Sequence, residues 1–218
     1  DGFIKINLKH NHIYSSALNH YGDFLREEID NIKCKRESFD AFLKEWPLER
    51  LKTMTLEDYS LVGNKNTFVY WIEKKLDNNG SVWGGSSFKF GVYNRNKADK
   101  KDSQDNGGGR IYATDYAWYQ KYGDNHQEAF EKVKGLIINI VEAVRNKNLD
   151  AIENTDLGDA YKWKIAFHYQ NMDYPIIVPV FKKEALEQYL SEKNKTIAEM
   201  QKTIKHVRNF SNFEDLCE

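Results

Sequence analysis

The chain has 218 residues, which suits one large domain or two small ones and is long enough to bury a substantial core. Charged residues make up 30% of it but nearly cancel to a net charge of -1, which excludes a uniformly basic protein and leaves only a local patch for binding nucleic acid. The two cysteines, Cys34 and Cys217, match no metal motif, and the sequence shows neither a run of membrane-spanning length nor a signal-peptide pattern. We therefore expect a cytoplasmic protein with reduced thiols and no membrane partner.

The first third of the chain is predicted to be mostly helical. Residues 3–8 alternate between apolar and polar side chains, which indicates one short strand. Residues 15–45 then carry apolar side chains at helical spacing. Thr55 and Asp58 have the spacing of a capping box, so we expect a helical turn to begin there. Residues 67–76 again show the spacing of a helix that buries one face.

The middle of the chain is predicted to combine strands with one long helix. Residues 87–93 alternate with a period of two, which is typical of a strand. Residues 94–110 form a polar loop, and residues 111–122 follow as a second aromatic strip. An apolar stripe at helical spacing predicts a helix over residues 125–146.

The last part of the chain mixes strand and helix signals. Residues 162–170 alternate strictly between apolar and polar side chains, which predicts a strand, although a helix stays open. Residues 175–181 resemble a second strand, which Pro179 restricts to a sheet edge or a bulge. Residues 183–206 are rich in Glu and Lys and predict a final, largely solvated helix.

The expected architecture is one α+β domain that is rich in helix and has a small mixed or antiparallel sheet. We assign residues 1–182 to it, with a helical part over 1–62 and an aromatic and glycine-rich part over 63–182. Residues 183–218 then form a C-terminal helix that is expected to lead into a further domain. Because the chain opens on Asp1 instead of methionine, we expect it to be a piece of a longer protein.

Aromatic rings and cations in the middle of the chain are the main candidates for function. Phe68 to Tyr93 concentrates rings and glycines, and residues 94–110 follow as a largely basic segment that ends in glycines. Glycine lets a partner approach the backbone, and planar rings offer stacking faces. The combination suits a flat anionic ligand such as a nucleic acid. The alternative is an aromatic hairpin core with an ordinary solvated loop, whose lysines are diluted by aspartates.

The candidate binding residues are rings that would stack on bases and cations that would contact phosphates. Most of them lie between residues 83 and 118, and a second cationic group surrounds Trp163. Tyr119 belongs to the same surplus of rings but is not among the residues chosen. The predicted nucleic-acid-binding residues are Trp83, Lys89, Tyr93, Arg95, Lys97, Arg110, Tyr112, Tyr116, Trp118, Lys162, Trp163 and Lys164.

Motifs for catalysis are nearly absent from the sequence. It has no G-x-x-x-x-G-K-[ST] phosphate loop, no H-E-x-x-H zinc motif and no G-x-S-x-G nucleophile motif. His10, His12 and His20 cluster near the start, but no carboxylate stands at ligand spacing. We therefore predict no catalytic residues, no metal and no cofactor.

Two alternatives to a binding module stay open. Glu73 and Lys75 form an E-x-K pair of the kind that helps to hold Mg²⁺ in nucleases, with Asp58 as the only plausible partner. The helical context of the pair favours a solvated helix end instead. A protein-interaction module of a defence complex is the other alternative, in which the charged helix over 183–206 docks a neighbour.

A longer pattern in the chain resembles that of a known family. An aromatic-Trp-hydrophobic-Glu segment precedes a glycine-rich segment that ends in Lys-Phe-Gly-hydrophobic-Tyr. The matching positions are Phe68, Tyr70, Trp71, Glu73, Gly80, Ser81, Gly84, Gly85, Ser86, Lys89, Phe90, Gly91 and Tyr93. Residues 116–133 and 162–186 add two further similar stretches. Over residues 55–190 the chain resembles the N-terminal DNA-recognition region of McrB-type, modification-dependent restriction proteins.

This resemblance implies a modular machine for defence against phage DNA. A recognition domain is followed by an AAA+ motor, which this chain lacks, and a partner subunit cuts. Several such recognition domains hold a methylated base, flipped out of the duplex, in an aromatic pocket, where stacking offsets a flipping cost of about a few kcal/mol. Our leading hypothesis is a non-catalytic specificity module that recognises a modified base in double-stranded DNA and works with other domains or subunits of a restriction complex.

Overall fold

Helices dominate the part of the chain that the structure describes, and a small three-stranded sheet accompanies them, which confirms the predicted α+β class. The structure is a computed structural model that describes residues 35–82, 84–96 and 108–217. The predictions for residues 3–34, for Trp83 and for Lys97 lie outside these ranges. The chain divides into two units, Asp1–Glu37 and Ser38–Glu218, and the described elements belong almost entirely to the second.

Most helices and all the described strands are short. The first helix, α1, covers residues 35–45 of the described chain. The α-helices that follow are α2 (Leu48–Thr53), α3 (Leu56–Tyr59), α4 (Phe68–Tyr70), α5 (His126–Arg145), α6 (Leu149–Glu153), α7 (Asp159–Tyr169), α8 (Lys183–Leu190), α9 (Ile197–Arg208) and α10 (Phe213–Cys217). A π-helix, Trp71–Lys75, continues α4, and 3₁₀ turns span Asp77–Asn79, Ser87–Phe90 and Gln120–Tyr122. The strands are β1 (Val92–Asn94), β2 (Arg110–Tyr112) and β3 (Tyr116–Tyr119).

Local hydrogen bonds start the early helices where the sequence predicts. Thr55 Oγ1 accepts a hydrogen bond from the Asp58 amide at 3.2 Å, and the Asp58 carboxylate accepts one from the Thr55 amide at 3.1 Å, so the predicted capping box is present. The helix predicted over 67–76 is confirmed, although its second half has π geometry. Phe68 and Ile72 on its inner side are fully buried, as the helical spacing requires.

The sheet is antiparallel, with β3 between β1 and β2. Tyr93 and Tyr112 pair with Ala117 from its two sides, which fixes the register. The strand predicted over 87–93 is wrong in its first half, where the backbone forms a 3₁₀ turn that ends at Gly91. Gly91 has φ 79°, and a Cβ there would lie 2.6 Å from a side-chain atom of α5, so the tight turn and the close helix both require glycine.

Helices α5 and α7 pack against each other in the core. Helix α5 confirms the helix predicted over 125–146, and its apolar stripe is buried. Helix α7 overturns the strand predicted over 162–170. Every residue from Tyr161 to Tyr169 is buried, so this helix has no solvated face and lacks the amphipathic spacing that identifies a surface helix.

The segment over 175–181 forms no strand in the described chain, contrary to the prediction. Side-chain amides take the place of a neighbouring strand. Gln170 Oε1 accepts hydrogen bonds from two backbone amides of this segment at 2.8 and 2.9 Å, and Gln201 Oε1 accepts a third at 2.8 Å. These side chains already accept hydrogen bonds from the buried backbone amides, so the segment does not need a neighbouring strand to satisfy them.

The charged helix predicted over 183–206 is two helices, α8 and α9. Helix α8 ends at Ser191, which has left-handed backbone with φ 54°. Helix α9 begins with a capping box between Thr196 and Glu199 and packs against α6 and α8. Among the described residues, no helix combines the length and apolar character that a membrane span needs.

Candidate nucleic-acid interface

One face of the small sheet carries a group of rings that we call the tyrosine face: Phe88, Tyr93, Tyr112 and Tyr119. The register pairs Tyr93 and Tyr112 with Ala117, one on each neighbouring strand. Tyr119 lies two residues after Ala117 in β3 and therefore points to the same face of the sheet. The Phe88 ring lies among the three tyrosines, with centroid distances of 5.4 Å to Tyr93, 5.3 Å to Tyr112 and 4.9 Å to Tyr119. Phe88 is buried and the tyrosines are half-buried, so each tyrosine keeps part of its side chain open to solvent.

Cations surround the tyrosine face. The Arg95 guanidinium group lies 5.3 Å from the centre of the Tyr112 ring, and that of Arg110 lies 5.1 Å from the ring of the buried phenylalanine. The Lys121 ammonium group lies 5.4 Å from the centre of the Tyr119 ring. These distances allow attraction between each cation and the electron-rich face of the ring. The face therefore joins rings and positive charge at one surface.

The three cations are held in different ways. Arg95 is only 8% exposed and donates from Nη1 to the Ala113 carbonyl at 2.7 Å. Lys121 donates to an Asp156 carboxylate oxygen at 2.5 Å. Burial lowers the pKa of Lys121, but the contacts with Asp156 and Tyr122 outweigh this and raise the pKa overall. Arg110 is exposed to solvent.

The opposite face of the sheet is covered by α5, and two predicted residues on that face are buried. Trp118 is 4% exposed and donates from Nε1 to the Gly123 carbonyl at 2.9 Å. Tyr116 is 9% exposed and stacks on His126, with ring centroids 5.0 Å apart and 17° between the planes. The period of two along β3 turns both rings inward. The expectation of an open aromatic cleft is corrected for Trp118, whereas Tyr116 still lines one wall of a pocket.

Helix α7 withdraws Lys162 and Trp163 from the surface as well. Trp163 is fully buried and Lys162 is 4% exposed. Lys162 Nζ donates to the carbonyls of Glu153 and Thr155 at 2.6 and 3.3 Å and pairs with an Asp159 carboxylate oxygen at 2.9 Å. These contacts correct the expectation that Lys162 meets a phosphate, because its ammonium group is already fully engaged.

Lys164 is buried without the partners that Lys162 has. Its Nζ makes no hydrogen bond within the described part of the chain. Burial lowers its pKa from 10.5 to about 7, although the nearby charges of Asp77 and Glu73 favour the ammonium form. The expectation that Lys164 contacts a ligand is therefore corrected too.

Lys89 fastens the glycine-rich segment to the π-helix. Its Nζ donates to Glu73 Oε1 at 2.7 Å and to the carbonyls of Val82 and Gly84 at 2.7 and 2.9 Å. An ammonium group has three protons, and all three find an acceptor here. Lys89 thus serves the fold at the position where the sequence predicted a phosphate contact.

The E-x-K pair at Glu73 and Lys75 forms no metal site in the described chain. Glu73 pairs with Lys89, whereas Lys75 donates to Asn66 Oδ1 at 2.8 Å. Asp58, the proposed third residue, caps α3. No group of three or more His, Cys, Asp or Glu that could hold a metal ion occurs among the described residues. The nuclease alternative gains no support from this part of the chain.

A pocket of 520 Å³ opens beside the tyrosine face. Arg95 connects the two, because it lies over Tyr112 and also lines the pocket. Tyr116 also lines the pocket. Burial raises the pKa of its hydroxyl group, and the Glu57 and Asp115 carboxylates raise this pKa further. The lining residues are Glu57, Leu61, Val62, Asn94, Arg95, Asn96, Asp115 and Tyr116. Leu61 and Val62 are exposed at its rim, so the pocket combines polar and apolar walls.

The interface includes residues that the sequence reasoning did not choose. The signal for Tyr119 is present in the sequence, since a period of two groups it with Ala117 and separates it from Trp118. Lys121 lies in the turn beyond β3, where strand alternation no longer applies. Trp83 and Lys97 lie outside the described residues. Of the predicted residues, the structure brings together Tyr93, Arg95, Arg110 and Tyr112 at the tyrosine face. Tyr116 joins Arg95 in the lining of the adjacent pocket.

Comparison of the chain with models of protein families, with curated proteins and with solved structures gives no significant match.

Proposed function

We propose that this chain is a non-catalytic DNA-binding specificity module of a modification-dependent restriction system, and that the tyrosine face is its contact with DNA. The observation that carries the proposal is the set of half-exposed tyrosines gathered around Phe88 and flanked by Arg95, Arg110 and Lys121. Rings and cations on one open surface are the means by which proteins hold unpaired bases and the backbone beside them. The resemblance of residues 55–190 to McrB-type recognition regions supports the restriction context.

Rings and cations have separate tasks at this face. Each base that stacks on a tyrosine contributes about 1–3 kcal/mol to binding. Arg110 and Lys121 contact phosphates, which position the strand without reading its sequence. Arg95 is too buried for that task, so it holds the Tyr112 ring in place and forms the border to the pocket.

A modified base enters the pocket beside Arg95. Bases in an intact duplex stack on one another, so an aromatic surface reaches a base only after the base leaves the helix. The volume of 520 Å³ falls within the range of about 300–1,000 Å³ that is usual for small-ligand sites. Tyr116 supplies one aromatic wall, while Leu61 and Val62 supply an apolar one on which an added methyl group can pack.

Titration of methylated and unmodified duplexes with the chain, at two salt concentrations, tests the DNA contact. We expect tighter binding of the methylated duplex and stronger binding of both at low salt, where phosphate contacts gain most. Tyr112→Ala weakens binding, whereas Tyr189→Ala, which removes a 61% exposed tyrosine of α8, leaves it unchanged. No binding of either duplex at low salt would exclude the proposal.

Incubation of the chain with duplex DNA and Mg²⁺ or Mn²⁺ tests the non-catalytic part of the proposal. We expect intact DNA after incubation, because Glu73 is engaged with Lys89. Cleavage that disappears in Glu73→Gln would establish the nuclease alternative instead.

A further inference from the structure

A second pocket, of 360 Å³, lies at the C-terminal ends of α5 and α7. Helix α5 begins at His126, which stacks on Tyr116 of the sheet, and ends at Arg145, which lines this pocket. Its 20 residues span about 30 Å along the helix axis. The pocket is therefore separate from the tyrosine face and from the pocket beside Arg95.

Two cations and no carboxylate line this second pocket. The Arg145 and Lys147 side chains are exposed, and neither makes an ion pair or a hydrogen bond within the described chain. Burial raises the pKa of Tyr169 in the pocket floor, and the Arg145 charge opposes that shift. With two cations and no carboxylate in its lining, the pocket presents a net positive charge to an entering ligand.

Stabilisation of the helix end does not account for both cations. Arg145 lies in the last turn of α5, where a positive charge interacts favourably with the helix dipole. Lys147 lies beyond the helix, with left-handed backbone at φ 56°. The last carbonyls of α5 already accept from backbone amides, at 3.0 Å between Asn146 and Glu142 and at 3.0 Å between Lys147 and Val144. These carbonyls therefore do not need a hydrogen bond from the Lys147 ammonium group.

An exposed ring at the rim and a fixed floor complete the pocket. Tyr174 is 68% exposed and makes no ring contact within the described residues. Its turn is held by a hydrogen bond from the Tyr174 amide to the Asn171 carbonyl at 3.2 Å and by another from the Asp173 amide to Asn171 Oδ1 at 2.8 Å. In the floor, the Gln170 side-chain amide is bonded to the backbone of the following segment. Hydrogen bonds thus hold the backbone that carries the ring and the floor of the pocket.

We propose that this pocket binds a free nucleoside phosphate, with the base on the Tyr174 ring and the phosphate between Arg145 and Lys147. Such a ligand joins a planar π-system to a compact anion. The pocket lining offers a ring and two cations that make no ion pair within the described chain. The apolar side chains of Val144 and Ile176 cover the sugar between them. This binding is independent of the DNA contact proposed for the tyrosine face.

Equilibrium dialysis with each of the four common ribonucleoside 5′-monophosphates tests the site. Loss of one charge-assisted contact corresponds to about a tenfold weaker Kd, which we expect for Arg145→Ala and for Lys147→Ala. Tyr174→Ala weakens binding by a similar factor because the base loses its stacking partner. The matched controls leave Kd unchanged: Lys132→Ala removes an exposed lysine of α5 outside the pocket, and Tyr189→Ala removes an exposed tyrosine elsewhere. Absence of saturable binding, or equal losses in pocket and control variants, overturns the proposal.

Two further measurements separate the parts of the ligand and the two surfaces. Inorganic phosphate that competes as well as the nucleotide shows that only the anion is held, which overturns the nucleoside part. Tyr119→Ala on the tyrosine face is expected to leave nucleotide binding intact. If that variant abolishes nucleotide binding while Arg145→Ala preserves it, the nucleotide occupies the tyrosine face and the second site fails. A chain that binds nucleotide but no duplex would remove the DNA proposal alone.

Discussion

The strip over 110–122 and helix α7 are made of the same kinds of residue, yet they lie in opposite environments. Both interleave aromatic rings with lysine or arginine, and the sequence pattern predicts a binding surface in each. In the strip, the half-buried rings and their cations share one open sheet face. In α7, the rings and both lysines are enclosed by the core. Composition alone therefore does not separate a binding surface from a buried helix.

The difference comes from the number of faces that each element must bury. A strand that covers one face leaves alternate residues open, so rings and cations can gather there without losing hydration. A helix that is enclosed on all sides buries whatever its sequence contains, and a buried ammonium group needs acceptors of its own. Among the described residues, Lys162 has such acceptors and Lys164 has none. Substitutions in α7 should therefore change stability, and substitutions on the tyrosine face should change binding.

Lys164→Met is expected to give the largest effect, an increase in the free energy of unfolding on the order of 3–4 kcal/mol at pH 7. The folded chain holds Lys164 with a pKa of about 7, whereas the unfolded chain has the ordinary value of 10.5. Between these values unfolding takes up a proton, so the stability of the original chain rises with pH across that window. The variant is expected to lose this rise. Urea unfolding between pH 6 and pH 10 measures both effects.

The same titration also shows how the prediction fails. A variant that is less stable than the original chain, with an unchanged slope between pH 7 and pH 10, would mean that the Lys164 ammonium group has a partner in solution. The assignment of Lys164 to an unsatisfied buried position would then be wrong.

Lys162→Met is expected to act in the opposite direction, with a loss of about 2–3 kcal/mol of stability. The substitution leaves the carbonyls of Glu153 and Thr155 without the donor that now lies 2.6 and 3.3 Å away, in a buried environment. Urea unfolding at pH 7 compares it directly with Lys164→Met, two positions along the same helix. If the two variants shift stability in the same direction, hydrogen bonding does not distinguish the two lysines.

Tyr112→Ala and Trp118→Phe sharpen the contrast between the two faces of the sheet. Loss of the half-exposed Tyr112 ring is expected to weaken duplex binding by about 1–2 kcal/mol. Trp118→Phe removes the donor to the Gly123 carbonyl, costs about 1 kcal/mol of stability and leaves the affinity of the folded chain unchanged. Fluorescence anisotropy with a labelled duplex measures affinity, and urea unfolding measures stability. A larger affinity loss in Trp118→Phe would place the contact on the covered face.

Local signals in the sequence predicted the parts of the fold that depend on local chemistry. The Thr55–Asp58 capping box follows from side chains that bond to nearby amides. The long helix over 125–146 follows from an apolar stripe with one solvated face. Helix α7 was not predicted, because a fully buried helix shows no difference between an apolar and a solvated face. Its residues alternate between apolar and polar types, which is the pattern of a strand. The conformation of residues 175–181 was not predicted, because their backbone is bonded to side-chain amides that include one distant in sequence, that of Gln201.

The candidate site could be predicted only in part for a related reason. The choice of segment depended on composition, which singled out four residues that the structure brings close together, namely Tyr93, Arg95, Arg110 and Tyr112. Choosing the exposed rings within the segment required the strand register. The period of two along β3 places Tyr119, and not Trp118, on the open face. Lys89 donates hydrogen bonds to carbonyls that come together only in the folded chain, so its structural role cannot be predicted from spacing in the sequence.

Arg110→Gln is expected to give the smallest effect, because Arg110 is exposed and the phosphate contact proposed for it would be well hydrated. Removing one phosphate contact lowers the slope of log K against log salt by about 1 and weakens binding at low salt by less than about 1 kcal/mol. Lys132→Gln removes one positive charge from an exposed position on α5, behind the opposite face of the sheet, and matches the change in net charge. Anisotropy titrations at several salt concentrations compare the two variants. Equal slopes would mean that DNA responds to net charge alone, and the cations around the tyrosine face would then have no special place in binding.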